Sequence, residues 1–286
     1  RGAVGWRDTV SKLRQSGMDI HPIAPEKRQA ILESLDRVET EHDVRIVFAC
    51  ESGSRGWGFS SPDSDYDARF VYVHRQSWYL TVNERTGPGQ PQRDVIELPI
   101  DDELDVSGWD LRKALRLVSK SNPTLLEWLR SPIVYRCDET MKSGLEKLAD
   151  EFYSPVAAWH HYFSMAKGNF RGYLKGDRVR TKKYLYVLRP VLACRWIEKE
   201  PGPPPMAFEL LLERLLPSGV LRDAIDALLD KKRVSKEVGD GPRIASISDY
   251  LETEIERMQR SPPMLSSSRG NQENLDTFFR RTLGQT

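Results

Sequence analysis

The segment from Gly53 to Val73, GSRGWGFSSPDSDYDARFVYV, constrains the fold more than any other part of the chain. It continues VRIVFACES, a run rich in β-branched and aromatic residues that reads as a strand and stops at Gly53. After a short loop, DYDARFVYV (65–73) alternates and then turns apolar, as a strand does on entering a core. This second strand carries Asp65 and Asp67 at i and i+2. Those positions share one face of a strand, with Cβ atoms roughly 6–7 Å apart, while Tyr66 and Ala68 point to the packing side.

Two carboxylates on one face repel, and one takes up a proton unless a positive charge lies between them. Divalent metal is the usual solution, since Mg²⁺ is held by one or two carboxylates together with substrate phosphates. A third carboxylate would complete a two-metal site. Asp105 is the leading candidate, because Leu104 and Val106 flank it and leave it alone on the opposite face of its strand. Asp101, Asp102, Glu103 and Asp110 compete, although Asp110 is better placed to cap the helix that follows it. Gly53 allows the backbone to approach a triphosphate closely, Ser54 and the amides after it can hydrogen-bond phosphate oxygens, and Arg55 can add a charge. Asp63, Asp65 and Asp67 do not open a calcium loop: Ala68 stands where glycine is needed and His74 where the bidentate glutamate belongs. Neither G-x-G-x-x-G nor G-x-x-x-x-G-K-[ST] occurs, which excludes the Rossmann and P-loop readings.

Around this segment the chain reads as α+β. A helix over 26–40 precedes the first strand, and VIELPI (95–100) and ELDVSGW (103–109) follow the second, with a loop from Asn83 to Arg93 between. From Asp110 onward the pattern is helical, with Asn122-Pro123 restarting a helix and Ser131-Pro132 ending it. The expected organisation is a domain over 1–135 with about four strands, an all-helical domain over 136–260, and a flexible tail over 261–286 in which DTFFRRTL is either a short docking helix or a frayed end. Cys50, Cys137 and Cys194 lack metal or disulfide spacing and read as buried thiols of a cytoplasmic protein. No apolar run reaches the roughly 18 residues of a membrane span. A net charge of +1 means that any basic surface must arise by local clustering.

A hydrophobic strand, Gly53-Ser54, ten residues and then Asp65-Tyr66-Asp67 resembles the signature of the DNA polymerase β-like nucleotidyltransferases. Longer phrases, DVSGWDLRKALRLVSKSNPTLLEWLRSPIVY and KKYLYVLRPVLACRWI among them, are similar to the branch associated with RNA ligases and RNA repair, over roughly residues 44–200. The resemblance implies a palm, a small mixed sheet with helices on one face, followed by a helical domain. It also implies a carboxylate triad carried onto Asp65, Asp67 and Asp105, holding Mg²⁺ or Mn²⁺. The implied reaction moves a nucleoside monophosphate from an NTP to an acceptor hydroxyl and releases pyrophosphate. The implied acceptor is RNA, a tRNA or a cleaved RNA 3′ end, with an RNA ligase or repair protein as partner. Transfer to a protein or small molecule, and a palm that binds without turnover, are the alternatives.

Within the helical half, Lys182, Tyr186 and Arg189 share a face at i, i+4 and i+7, opposite Leu185, Leu188, Leu192 and Trp196. In a nucleotidyltransferase they could meet the triphosphate or stack on the base. Lys167, Arg171, Lys175, Arg178, Arg180, Lys182 and Lys183, interleaved with Phe170 and Tyr173, form a locally basic stretch suited to single-stranded RNA.

Overall fold

The structure, a computed structural model, describes residues 23–82, 94–99, 103–234, 240–266 and 270–284. In chain order the elements are α1 (Pro25–His42), β1 (Val44–Glu51), α2 (Gly53–Gly56), β2 (Tyr66–His74), α3 (Gln76–Tyr79), β3 (Val95–Glu97), β4 (Leu104–Asp110), α4 (Leu111–Ser119), α5 (Pro123–Leu129) and β5 (Val134–Cys137). They continue as α6 (Glu139–Glu151), α7 (Pro155–Tyr173), β6 (Arg178–Arg180), α8 (Lys183–Lys199), α9 (Phe208–Leu215), α10 (Val220–Val234), β7 (Asp240–Pro242), α11 (Ala245–Arg260) and α12 (Gln272–Leu283). The loop expected at Asn83–Arg93 lies outside the described residues.

The chain divides into two compact units, each interrupted in sequence. A sheet unit comprises Ile23–Gly53, Asp65–Tyr153 and the described part of Ser268–Thr286; a helical unit comprises Ser54–Ser64 and the described part of Ser154–Ser267. This differs from boundaries at 135 and 260. The segment 54–64 leaves the sheet unit and returns to it, β5 and α6 stay with the sheet, and the last helix belongs to the sheet unit as well.

In the sheet unit the strand order is β3-β4-β2-β1-β5, with β2 and β4 parallel and the other pairs antiparallel. β1 is an interior strand, paired on both sides and buried along nearly its whole length, which is why Ile46–Cys50 run apolar rather than alternating. Alternation along β2 separates two cores. Tyr66, Ala68, Phe70 and Tyr72 pack with Ile31, Leu35 and Val38 of α1 on one face. Val71 and Val73 pack on the other with α4, α5 and α6. Helices therefore cover both faces rather than one. Two caps fall where the sequence places them: Asp110 accepts from the amide of Arg112 to start α4, and Asn122 accepts from that of Thr124 to start α5. Asp110 is thus a buried cap, and Tyr79 donates a 2.5 Å hydrogen bond to its other oxygen.

The structure corrects three further expectations. Among the described residues the sheet has five strands, because the short β5 pairs with β1. The helical half contains a small ribbon in which β6 pairs antiparallel with β7. The C-terminal segment is not a flexible tail throughout: Asn271 caps α12, and Leu275 and Leu283 join the core beneath α6. Gly144 makes that docking possible, since a Cβ there would lie 2.2 Å from the Phe278 ring. None of the helices among the described residues is long and apolar enough to cross a membrane.

Candidate active site

The parallel pairing of β2 and β4 sets Asp67 directly opposite Asp105. Val106 is buried in the α1 core and Leu104 packs against it, so Asp105 faces the other way, on the face of Asp67. Of the competing acids, Asp101 and Asp102 lie outside the described residues, and Glu103 pairs with Lys27. Asp65 stands one residue before β2 and is exposed, in step with Asp67.

Arg69, next on the same face by the same alternation, bridges the aligned pair. Its Nη2 lies 2.9 Å from Asp67 Oδ1 and 2.6 Å from Asp105 Oδ2, while Nη1 donates to the backbone carbonyls of Asp105 at 2.7 Å and Ala68 at 3.2 Å. The positive charge that the paired carboxylates require is therefore supplied by the protein itself.

Behind the pair lies Glu51, fully buried at the end of β1. The amide of Asp67 donates to its Oε1 at 2.9 Å, and the Tyr135 hydroxyl donates to its Oε2 at 2.5 Å. Ser52 in turn donates its amide to the carbonyl of Asp67. Gly53 follows with φ +55°, and a Cβ at that position would sit 1.8 Å from Asp67 Oδ2. Glycine is required here by backbone conformation and by the carboxylate that packs against it. The sheet unit thus fixes Asp67 through both of its backbone polar groups and leaves its carboxylate against a bare Cα.

The oxygen-only donor set of Asp65, Asp67 and Asp105 suits a hard cation such as Mg²⁺ or Mn²⁺. Among the described residues, however, no three acidic, histidine or cysteine side chains converge on one point. The donors fit in kind and in register, with Arg69 on two of their oxygens.

The remaining predicted residues belong to the helical unit. Ser54 and Arg55 are buried, and Arg55 donates to the carbonyl of Ser64 at 2.6 Å, closing the loop on itself. Trp57 and Phe59 of that loop meet Tyr186 edge-on at 5.7 and 5.9 Å. Arg189 does not share a solvent face with Lys182: it is 2% exposed, stacks 4.6 Å over Trp57 and donates to the carbonyl of Met206. Lys182 is exposed at the start of α8, and Lys183 lies over the rings of Tyr173 and Tyr186. Leu185, Leu188 and Leu192 are core, as their spacing predicts.

Lys232, like Arg69 and Glu51, is a residue that sequence reasoning missed. It is 4% exposed, donates to the carbonyl of Phe59 at 2.8 Å and sits 4.9 Å over the Phe59 ring. Burial first, and then Lys182, Arg55 and Lys183, push its pKa down to about 8, while Asp63 acts in the opposite sense. A signal was present, because Ile225, Leu228, Leu229 and Lys232 form one helical stripe in which lysine takes an apolar position. Glu51 was legible in the same way, as an acid ending an apolar strand.

The chain belongs to the RNA repair pathway DNA polymerase beta family, which matches residues 27–281. It is thereby a polymerase β-like nucleotidyltransferase, with the small mixed sheet and α+β architecture just described. Over 242 residues it is 47% identical to the uncharacterized protein YcgL of Bacillus subtilis (strain 168), which covers 85% of this chain and 90% of that protein. A solved structure, a nucleotidyltransferase-like protein from Exiguobacterium sibiricum 255-15, matches over 89% of each chain at 12% identity and a TM-score of 0.28.

Proposed function

We propose that the protein transfers a nucleoside monophosphate from an NTP to a hydroxyl of RNA, with Asp65, Asp67 and Asp105 holding Mg²⁺ or Mn²⁺. The observation that carries this reading is the alignment of Asp67 with Asp105 across a parallel strand pair in a family of nucleotidyltransferases. The acceptor oxygen attacks the α-phosphorus, the bond to the bridging oxygen of the β-phosphate breaks, and pyrophosphate leaves with those electrons. One carboxylate of the triad takes the hydroxyl proton. Bound divalent cations supply neutralisation of the attacking and leaving oxygens. The chain's own residues orient the centre: Glu51 and Ser52 fix the backbone of Asp67, and Gly53 leaves room beside its carboxylate. Lys182, Lys183, Tyr186 and Lys232 form a cationic and aromatic cluster suited to a nucleotide's phosphates and base.

An RNA acceptor is favoured by charge placement in the helical unit. Lys167, Arg171, Lys175, Arg180 and Lys182 are all exposed, in a chain whose net charge is only +1. Arg195, Arg222 and Arg257 of the same unit pair with glutamates, whereas those five have no carboxylate partner among the described residues. Gly168 and Gly172, one turn apart on α7, have open space where a side chain would stand, so the backbone is accessible between the cations. Such a strip suits a phosphate backbone and makes binding salt-dependent.

The test is transfer from each of the four labelled NTPs to RNA, with Mg²⁺ or Mn²⁺, for wild type, Asp67→Asn and a Lys167→Glu/Arg171→Glu/Lys175→Glu variant. Asp67→Asn should lose transfer by about a thousandfold or more. The triple variant should raise KM for RNA and flatten the salt dependence by roughly one unit of slope for each phosphate that is no longer neutralised. Label appearing on protein or on a small molecule, with RNA untouched, would replace RNA as the acceptor.

A further inference from the structure

We infer that Arg69 holds Asp67 and Asp105 closed against free divalent cation, so that metal enters only by displacing the guanidinium from their oxygens. This rests on the reading that these carboxylates hold metal. A single nitrogen, Nη2, contacts an oxygen of each carboxylate and occupies the bridging position between them. The other nitrogen, Nη1, is fastened to the carbonyls of Asp105 and Ala68, which are part of the paired strands and need not move. The guanidinium is therefore anchored on the sheet by one arm while the other takes the place of a cation. The Arg69 side chain is only 16% exposed, so its charge is weakly screened.

Charge counting gives the consequence. Asp65, Asp67 and Asp105 carry −3 together, and Arg69 reduces this to −2. A free cation then meets both a reduced attraction and two oxygens already bonded. It gains the missing negative charge when it arrives with nucleotide phosphates. Arg69 is thus a positioning residue that sets when the centre opens.

The experiment is Mn²⁺ binding without nucleotide, read by electron paramagnetic resonance of the free ion, for wild type, Arg69→Gln, Arg69→Lys and Arg69→Gln/Asp67→Asn. Thermal unfolding in chelator confirms that each variant is folded. Arg69→Gln should bind Mn²⁺ at least about tenfold more tightly than wild type. Arg69→Lys, which keeps the charge, should stay within about threefold of wild type, and the added Asp67→Asn should cancel the gain. Weaker or unchanged binding by Arg69→Gln, with wild type still binding, overturns the inference alone and leaves the metal reading standing. Absence of Mn²⁺ binding in both proteins at millimolar ion overturns the metal reading and the inference together.

Discussion

Buried acids of the sheet unit are matched by donors, whereas Lys183 and Lys232 of the helical unit have mostly other cations as charged neighbours. Glu51 and Asp110 are each buried with a tyrosine hydroxyl and a backbone amide donating to them, and Asp67 and Asp105 share Arg69. In the helical unit, Lys232 has a carbonyl and two ring faces, and its strongest electrostatic neighbours are mostly other cations. Lys183 is likewise pushed down by burial and by Lys182 and Arg180. Each arrangement implies a different response to ligand. The carboxylate centre is satisfied as it stands and must be opened, while the lysine cluster is under repulsion that an anion relieves.

The sharpest way to break this comparison is at two glycines with positive φ. Gly53→Ala would drive a Cβ into the Asp67 carboxylate, so transfer should fall by about a thousandfold and stability by about 1–3 kcal/mol. Gly58, φ +84°, has nothing within 4 Å of its missing Cβ, so Gly58→Ala should cost only about 1 kcal/mol of backbone strain. Paired transfer assays and thermal melts decide it, and an active Gly53→Ala protein would remove Asp67 from the centre.

Next in size is Glu51→Ala, which leaves the Tyr135 hydroxyl and the Asp67 amide without their acceptor. A loss of about 2–4 kcal/mol in denaturant unfolding is expected, with Glu51→Gln losing less because it keeps an acceptor. Equal losses would mean that the charge of Glu51, not its hydrogen bonds, holds the strand ends.

The smallest effect is the most diagnostic for the helical unit. The pKa of Lys232 falls from 10.5 to about 8 on folding, so the unfolded chain binds more protons between those values. Stability contributed by this group therefore rises from about pH 8 to about 10.5, and Lys232→Met should flatten that rise. Inorganic triphosphate, which favours the protonated amine, should bind less tightly as pH passes from about 7 to about 9 in wild type but not in the variant. Calorimetric titration at both pH values checks this, and a pH-independent wild type would show that Lys232 is a structural lysine.

Local rules reached far into this chain. Period-two alternation placed Asp65 and Asp67 on one face and Tyr66 and Ala68 on the other, and the caps at Asp110 and Asn122 were readable from residue type. Three short strands escaped: β5, β6 and β7 show no period and exist because a partner strand supplies their hydrogen bonds. α12 was legible only as one of two alternatives, a short docking helix or a frayed end, because its apolar positions are few and its stability comes from docking on α6 beside Gly144.

What the sequence determined by itself is which residue types face the same way along one element: the paired aspartates, the glycine that must follow the first strand, the leucine stripe of α8. These depend on backbone periodicity and steric limits, which act over a few residues. Tertiary structure alone decided which of several acids stands opposite Asp67, which cation bridges that pair, and which lysine of an apolar stripe is buried beside Phe59. Those outcomes depend on strand register and on a charged side chain meeting its acceptor across 36 residues in one case and 173 in the other. Such separations lie beyond the reach of any local pattern.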